Sequence, residues 1–261
     1  MILKYLFVSC PKTITKKPYF AIGLNITLIF LAISLACYAV FSFQVYDWKA
    51  VYAYRSVFFT GWMTTCQISL CSLMLSLILG TLTALLRRSN ILILRYLGNL
   101  YVEIIRGTPL LVQLLLFFYV IASFFHVENR FLVGILTLSL FSGAYIAEIV
   151  RSGIDSIRVS HLDSAKAIGM TKSQTYQFVI FPLAFRQCLP PLTGQFASII
   201  KDSSLLSIIG ISELTYSAQQ ISSATYSTLE SYFPLALGYL ILTLPISQCS
   251  KYIEKKFKYE S

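Results

Sequence analysis

Six long apolar stretches dominate this chain, and stretches of such length leave few folds open to it. They run over roughly Phe20–Phe43, Val57–Leu86, Tyr96–Phe125, Phe131–Val150, Leu189–Ile211 and Tyr232–Gln248. A helix needs about 20 mostly apolar residues to cross the hydrocarbon of a bilayer. A transmembrane barrel would instead show short alternating strands of about ten residues. Runs such as Leu110–Leu116 are nearly all apolar and do not alternate. The expected fold class is therefore an all-α polytopic membrane protein with about six transmembrane helices. Composition agrees: 12% of the residues are charged, against about a quarter in a soluble domain.

The net charge of +10 raises nucleic acid as a partner, but the cations lie between apolar blocks rather than along one basic face, so no nucleic-acid footprint forms. They sort by side of the membrane instead. With both termini inside, sixteen of the 21 Lys and Arg residues fall in inner segments. These are Lys4, Lys12, Lys16 and Lys17, then Arg87, Arg88 and Arg95, then Arg151, Arg158, Lys166, Lys172 and Arg186, and finally Lys251, Lys255, Lys256 and Lys258. Only Lys49, Arg55 and Arg130 fall outside. That bias places both termini, and the long loop Arg151–Cys188, in the cytoplasm. The first apolar stretch is longer than the core of a signal peptide and is read as a retained helix. Cys10, Cys37, Cys66, Cys71, Cys188 and Cys249 show no metal-ligand spacing and read as packing residues. His126 and His161 are isolated, so no metal site is expected.

The inner loop has its own pattern. His161–Ile168 reads as a short helix with Leu162, Ala165, Ile168 and Gly169 on one face and Asp163, Ser164 and Lys166 off it. Gly169 suits a helix end. Thr171 and Gln174 form a capping box that starts a second helix through about Phe181. Pro182 is expected to stop it, with Pro190 and Pro191 marking entry to the next span. An amphipathic hairpin lying on the lipid surface is the other reading of this composition.

Asp163-Ser164-Ala165, Gly169 and Val179-Ile180-Phe181-Pro182 resemble the EAA loop of ABC importer permeases, with Asp163 in the Glu position, Ala165 in the second Ala position and Ser164 replacing the first Ala. Ser160-His161 stand where Gly-Gln is common, which bears on which ATPase the loop fits. Glu103–Gln113, Ala144–Arg151, Lys201–Leu205, Glu213-Leu214 and Ser223–Tyr226 resemble the polar amino-acid (histidine/glutamine/arginine-type) branch of that family. The resemblance runs from about Phe58 to Ser247.

It implies a type I permease core of five helices plus an extra N-terminal helix, in a bacterial cytoplasmic (inner) membrane. Residues 1–50 would hold the N-terminal cytoplasmic segment and additional helix, 51–250 the transmembrane domain with its coupling loop at 151–188, and 251–261 a basic cytoplasmic tail. By the same resemblance Asp163, Ser164, Ala165, Ile168, Gly169 and Pro182 couple to an ABC ATPase dimer, which binds ATP and Mg. The chain itself would carry no cofactor. A second permease copy, the same or related, and an external amino-acid-binding protein complete the implied assembly.

Charges inside the spans are costly and face protein or water. Glu103 and Arg106, like Glu148 and Arg151, are spaced to pair on one helix face. Gly107 and Pro109 follow Arg106 and predict a bend or break there. Lys201 and Asp202 interrupt the fifth span near its middle and are followed by Ser203. Glu103, Arg106, Glu148, Lys201, Asp202 and Ser203 are the candidate substrate path or gate. No G-x-x-x-x-G-K-[ST] motif occurs, so ATP hydrolysis is expected in a partner and not here. An ion-coupled secondary transporter would show repeated halves with matching broken helices, and no such repeat is evident. A membrane scaffold would not need the glycine-turn loop. A membrane enzyme would need a nucleophile and a base in reach of one another, and no such arrangement occurs.

Overall fold

The computed structural model describes residues 19–42 and 46–258, and every regular element among them is helical. Lys4, Lys12, Lys16, Lys17 and Cys10 lie outside the described residues. The chain divides into two compact units, Met1–Asp47 and Trp48–Ser261. The first holds α1 (Tyr19–Ser42). This helix is apolar around its circumference, and its Thr27 and Ser34 hydroxyls donate to carbonyls of their own preceding turn. A helix of that kind suits a span rather than one face of a soluble core.

The second unit begins with α2 (Trp48–Ala53), α3 (Arg55–Arg87) and α4 (Leu92–Gly107). Then come α5 (Leu110–Leu116), which runs into a π turn at Phe117–Ala122, and α6 (Arg130–Asp155). The loop region contains α7 (Val159–Ala167) and α8 (Lys172–Thr175). A second π turn, Tyr176–Ile180, leads into α9 (Phe181–Asp202), followed by a 3₁₀ turn at Ser203–Ile209, α10 (Leu214–Thr225) and α11 (Thr228–Lys258). Among the described residues three helices are long and apolar enough to cross a membrane: Arg55–Arg87, Arg130–Asp155 and Thr228–Tyr252. The broken pair α4–α5 makes a fourth if it counts as one span.

Helices α3 and α6 form the centre, and small side chains let them approach. Thr65, Ser69, Ser72, Ser76 and Thr83 on α3 are buried, as are Thr137, Ser139, Ser142 and Gly143 on α6. A Cβ on Gly80 would lie 2.8 Å from the Gly143 carbonyl oxygen, so backbone meets backbone there. The Ser139 hydroxyl donates to the Ile135 carbonyl on its own helix at 2.6 Å. In lipid, where apolar burial between helices gains little, close packing of this kind holds helices together. Larger apolar residues close one end of the contact: Ile68, Leu110, Leu114, Leu138, Leu206 and Ile209 form one buried cluster.

The expected break at Gly107–Pro109 is present. Helices α4 and α5 meet at a bend of 109°. Pro109 has no N–H, so the Ile105 carbonyl loses its helical donor. The Gln113 side chain replaces it: Nε2 donates to the Ile105 carbonyl at 2.8 Å and to Thr108 Oγ1 at 2.7 Å. Gln113 is buried, so this side chain latches the bend. Gln113→Leu keeps the volume and removes the donor. Its expected cost is about 1–3 kcal/mol, that of an unsatisfied buried carbonyl, read as a lower thermal midpoint in detergent.

Pro182 does not stop its helix. The chain stays helical from Lys172 to Asp202, with Pro182 in the first turn of α9 and Pro190 and Pro191 inside it. The π turn just before Pro182 provides the room: the Phe181 N–H bonds back to the Tyr176 carbonyl. A widened turn there relieves the clash a proline ring makes with the preceding turn. The expected span Leu189–Ile211 is accordingly the end of α9 plus the 3₁₀ turn, and Lys201-Asp202 sit at a helix terminus rather than mid-span.

Candidate functional site

The loop after α6 is built as two capped helices around one turn. Helix α7 ends in a left-handed Gly169 (φ +77°). The Met170 N–H donates to the Ala165 carbonyl at 3.1 Å and the Gly169 N–H to the Lys166 carbonyl at 3.0 Å. This is the Schellman arrangement, which consumes the last free carbonyls of a helix. The next helix starts two residues later. Thr171 Oγ1 accepts from the Gln174 N–H at 3.3 Å, and Gln174 Oε1 accepts from the Thr171 N–H at 2.9 Å. Both halves of the expected capping box form, and the turn between the helices has little freedom left.

Of the loop residues, Ala165 is buried and Leu162 half-buried, which fixes the inward side of α7. Asp163 and Lys166 project, with side chains 62% and 76% exposed and a mutual ion pair at 3.3 Å. Ser164, Gly169 and Pro182 are also exposed. Ile168 departs from expectation. It does not share the inward face with Leu162 and Ala165 but stands 74% exposed, because the helix ends at Ala167 and the turn into Gly169 carries the next side chain out of phase. An acid and an isoleucine thus project together from a short, rigid helix. Such a surface does not suit a helix lying flat on lipid, whose apolar side chains would share one face.

A second site sits where α3, α4 and α6 come together. Glu148 receives Arg151 Nη2 at 2.5 Å and Arg87 Nη1 at 2.7 Å, with Arg106 Nη1 at 3.7 Å. Asp155 receives Arg88 at 2.5 Å and Arg151 at 2.7 Å. Arg87 also donates from Nε to Asn99 Oδ1 at 2.7 Å. The expected Glu148–Arg151 pair is therefore one edge of a network joining three helices. The expected Glu103–Arg106 pair does not form. Arg106 turns to Glu148 and lies 5.3 Å from the centre of the Tyr145 ring, while Glu103 is exposed and makes no ion pair among the described residues. A partly buried carboxylate across the interface outcompeted the exposed one on the same helix.

The other path candidates separate at the end of α9. Lys201 is exposed and Asp202 half-buried. Ser203 is fully buried, its hydroxyl donating to the Ile200 carbonyl at 2.7 Å. Nearby stands a carboxylate that charge spacing alone did not single out. Glu213 is wholly buried and caps α10, accepting from the Thr215 and Tyr216 N–H groups at 2.9 and 2.8 Å and from the Tyr239 hydroxyl at 2.8 Å. An acid one residue before a helical run, as in Glu213-Leu214-Thr215-Tyr216, is the legible signal for such a cap. Among the described residues no group of His, Cys, Asp and Glu side chains is arranged to hold a metal ion.

The family described as binding-protein-dependent transport system inner membrane component matches residues 76–259. This chain belongs to that family. Among its relatives as a permease is the glutamine transport system permease protein GlnP of Escherichia coli (strain K12), 34% identical over 215 residues that cover 82% of this chain and 98% of that protein. The L-cystine transport system permease protein TcyB of Bacillus subtilis (strain 168) is 38% identical over 74% of this chain and 82% of its own. A solved structure described as an amino acid ABC transporter with histidines superposes with a TM-score of 0.77 at 32% identity, covering 82% of this chain and all of that one. The permease fold is thus that of ABC importer membrane subunits, and the family match over residues 76–259 takes in the α7–α8 hairpin and the arginine network.

Proposed function

We propose that this permease subunit forms, with a second copy of itself or a related chain, the substrate path of an ATP-driven importer for a polar amino acid. The observation that carries this reading is the α7 hairpin. It is a short helix closed at its C-terminal end by the Gly169 turn and followed directly by the capped start of α8, with Asp163 and Ile168 exposed for a partner, within a family whose members work with a separate ATPase and a binding protein. Ser164, Ala165, Gly169 and Pro182 complete this coupling region. Relatives named for glutamine and L-cystine transport favour an amino-acid cargo. The distribution of Lys and Arg favours a cytoplasmic hairpin and cytoplasmic termini. Residues 1–50 then form the added N-terminal part, 51–250 the transmembrane domain and 251–261 the tail.

In this reading, closure of an ATPase dimer drives the two α7 helices together and turns the path outward. Hydrolysis resets it, and the amino acid leaves inward. Glu103, exposed and with no ion pair among the described residues, and Lys201 and Asp202 at the end of α9 are the side chains this reading assigns to the zwitterion. Glu148 and Arg106 serve the network first. Proteoliposomes holding the permease, its ATPase and its binding protein are expected to accumulate labelled amino acid only with ATP inside the ATPase compartment. Uptake on an ion gradient without the ATPase would replace this reading with a secondary transporter.

A further inference from the structure

The arginine network does more than join helices. Between the end of α3, the start of α4 and the end of α6 it encloses a cavity of about 400 Å³ lined by Arg87, Arg88, Arg95, Asn99, Arg151 and Asp155. Every lining side chain is polar or charged, and four are guanidinium groups. The network sets four arginines, Arg87, Arg88, Arg106 and Arg151, against two carboxylates, Glu148 and Asp155, and Arg95 adds a fifth guanidinium at the cavity. Both carboxylates are already engaged by more than one arginine. Arg95 has no ion-pair partner among the described residues and is exposed at the rim. An excess of guanidinium groups over carboxylates at one cavity, with Arg95 unpaired among the described residues, favours a phosphate oxygen cluster, because planar N–H forks match its geometry.

Helix α4 indicates which phosphate. Arg95 and Asn99 line the cavity, while Tyr96, Leu97, Leu100 and Ile104 on the same helix are each more than half exposed. At the end of α3, Leu82 and Leu85 are also more than half exposed. The helix that lines the polar cavity therefore also carries exposed apolar side chains over about 12 Å of its length. A free phosphate uses only the first feature; a phospholipid uses both. Basic pockets between transmembrane helices take anionic headgroups for this reason. We infer that the α3–α4–α6 cavity is a binding site for the phosphate headgroup of an anionic phospholipid, with Arg95 as its recruiting residue and the apolar side of α4 as the bed for its chains. The inference does not depend on what the permease carries.

The test is native mass spectrometry of the purified full chain in neutral detergent, alone and with its ATPase, titrated with phosphatidylglycerol, phosphatidylcholine or inorganic phosphate. Wild type is expected to retain phosphatidylglycerol in one-to-one stoichiometry, at least about tenfold more tightly than phosphatidylcholine, the scale of one charge-assisted contact. Arg95→Gln is expected to erase most of that preference and Arg95→Lys to keep part of it. Arg95 holds no structural ion pair, so both variants should elute as wild type does. Equal retention of the two lipids, or an unchanged preference in Arg95→Gln, overturns the site. Displacement of bound lipid by millimolar inorganic phosphate would make it a free-anion site. Loss of the lipid whenever the ATPase is bound would make it a protein contact. Either result overturns the lipid assignment.

Discussion

Asp163→Arg is expected to abolish recovery of the ATPase with the membrane subunit while leaving the subunit folded and inserted. That outcome follows from where the residue stands. Its side chain is 62% exposed, and its one ion pair among the described residues is with Lys166, at 3.3 Å. An exposed pair of this kind contributes little to stability, so the fold changes by no more than about 0.5 kcal/mol. At a docking surface the same change is large: it reverses a charge and lengthens a side chain where a partner cleft must close. Placing a like charge against a complementary surface costs several kcal/mol, on the order of a hundredfold or more in affinity. Co-purification and size-exclusion of both proteins read the two effects separately. Asp163→Asn, which removes the charge without reversing it, is expected to weaken the pairing less. Wild-type recovery of the ATPase by the arginine variant would remove Asp163 from the interface.

The largest stability loss is expected from Glu148→Ala. Its carboxylate is 24% exposed and is shared by Arg151 and by Arg87, itself only 13% exposed. Removing it leaves guanidinium groups from α3, α4 and α6 facing one another with no counter-charge at their centre. Breaking a fully buried pair from one side costs about 3–5 kcal/mol. Partial exposure lowers the expectation here to about 2–4 kcal/mol, still a large share of a typical stability. Arg106→Gln is the internal comparison. Arg106 reaches Glu148 only at 3.7 Å and is 41% exposed, so its loss is expected to stay within about 0.5 kcal/mol. Thermal unfolding in detergent ranks the two, and a similar loss from both would show that the network is not centred on Glu148.

Local signals in the sequence were reliable where the chain obeys them locally. The capping box at Thr171 and Gln174, the glycine end at Gly169 and the break at Pro109 all depend on groups within a few residues of one another, and each formed as read. The misreadings share a different cause. Arg106 had a suitable acid three residues away, but Glu148 on another helix was less exposed and already gathering cations. No spacing rule reports that competition. Ile168 continued the apolar period of α7 on paper, yet the helix ended one residue sooner and turned it outward. Pro182 was a plausible stop because its ring disfavours an ordinary turn, and the widened turn that admits it leaves no mark in composition. Gln113 and Glu213 were passed over because each acts on backbone: Gln113 supplies a donor to the bend that Pro109 creates, and Glu213 accepts from the first turn of α10.

The uninterrupted passage through Pro182 has a mechanical result. From Lys172 to Asp202 the chain is helical without a gap, a path of roughly 46 Å along its axis at the usual rise per residue. One end begins at the capped turn beside α7, and the other carries Lys201 and Asp202. A stop at Pro182 would have put a non-helical joint between them. Unbroken helix instead carries a displacement along its length, and the π turn and Pro182, Pro190 and Pro191 are the places where it can flex. The distance between a push on the hairpin and a change around Lys201 is spanned by a single piece of backbone.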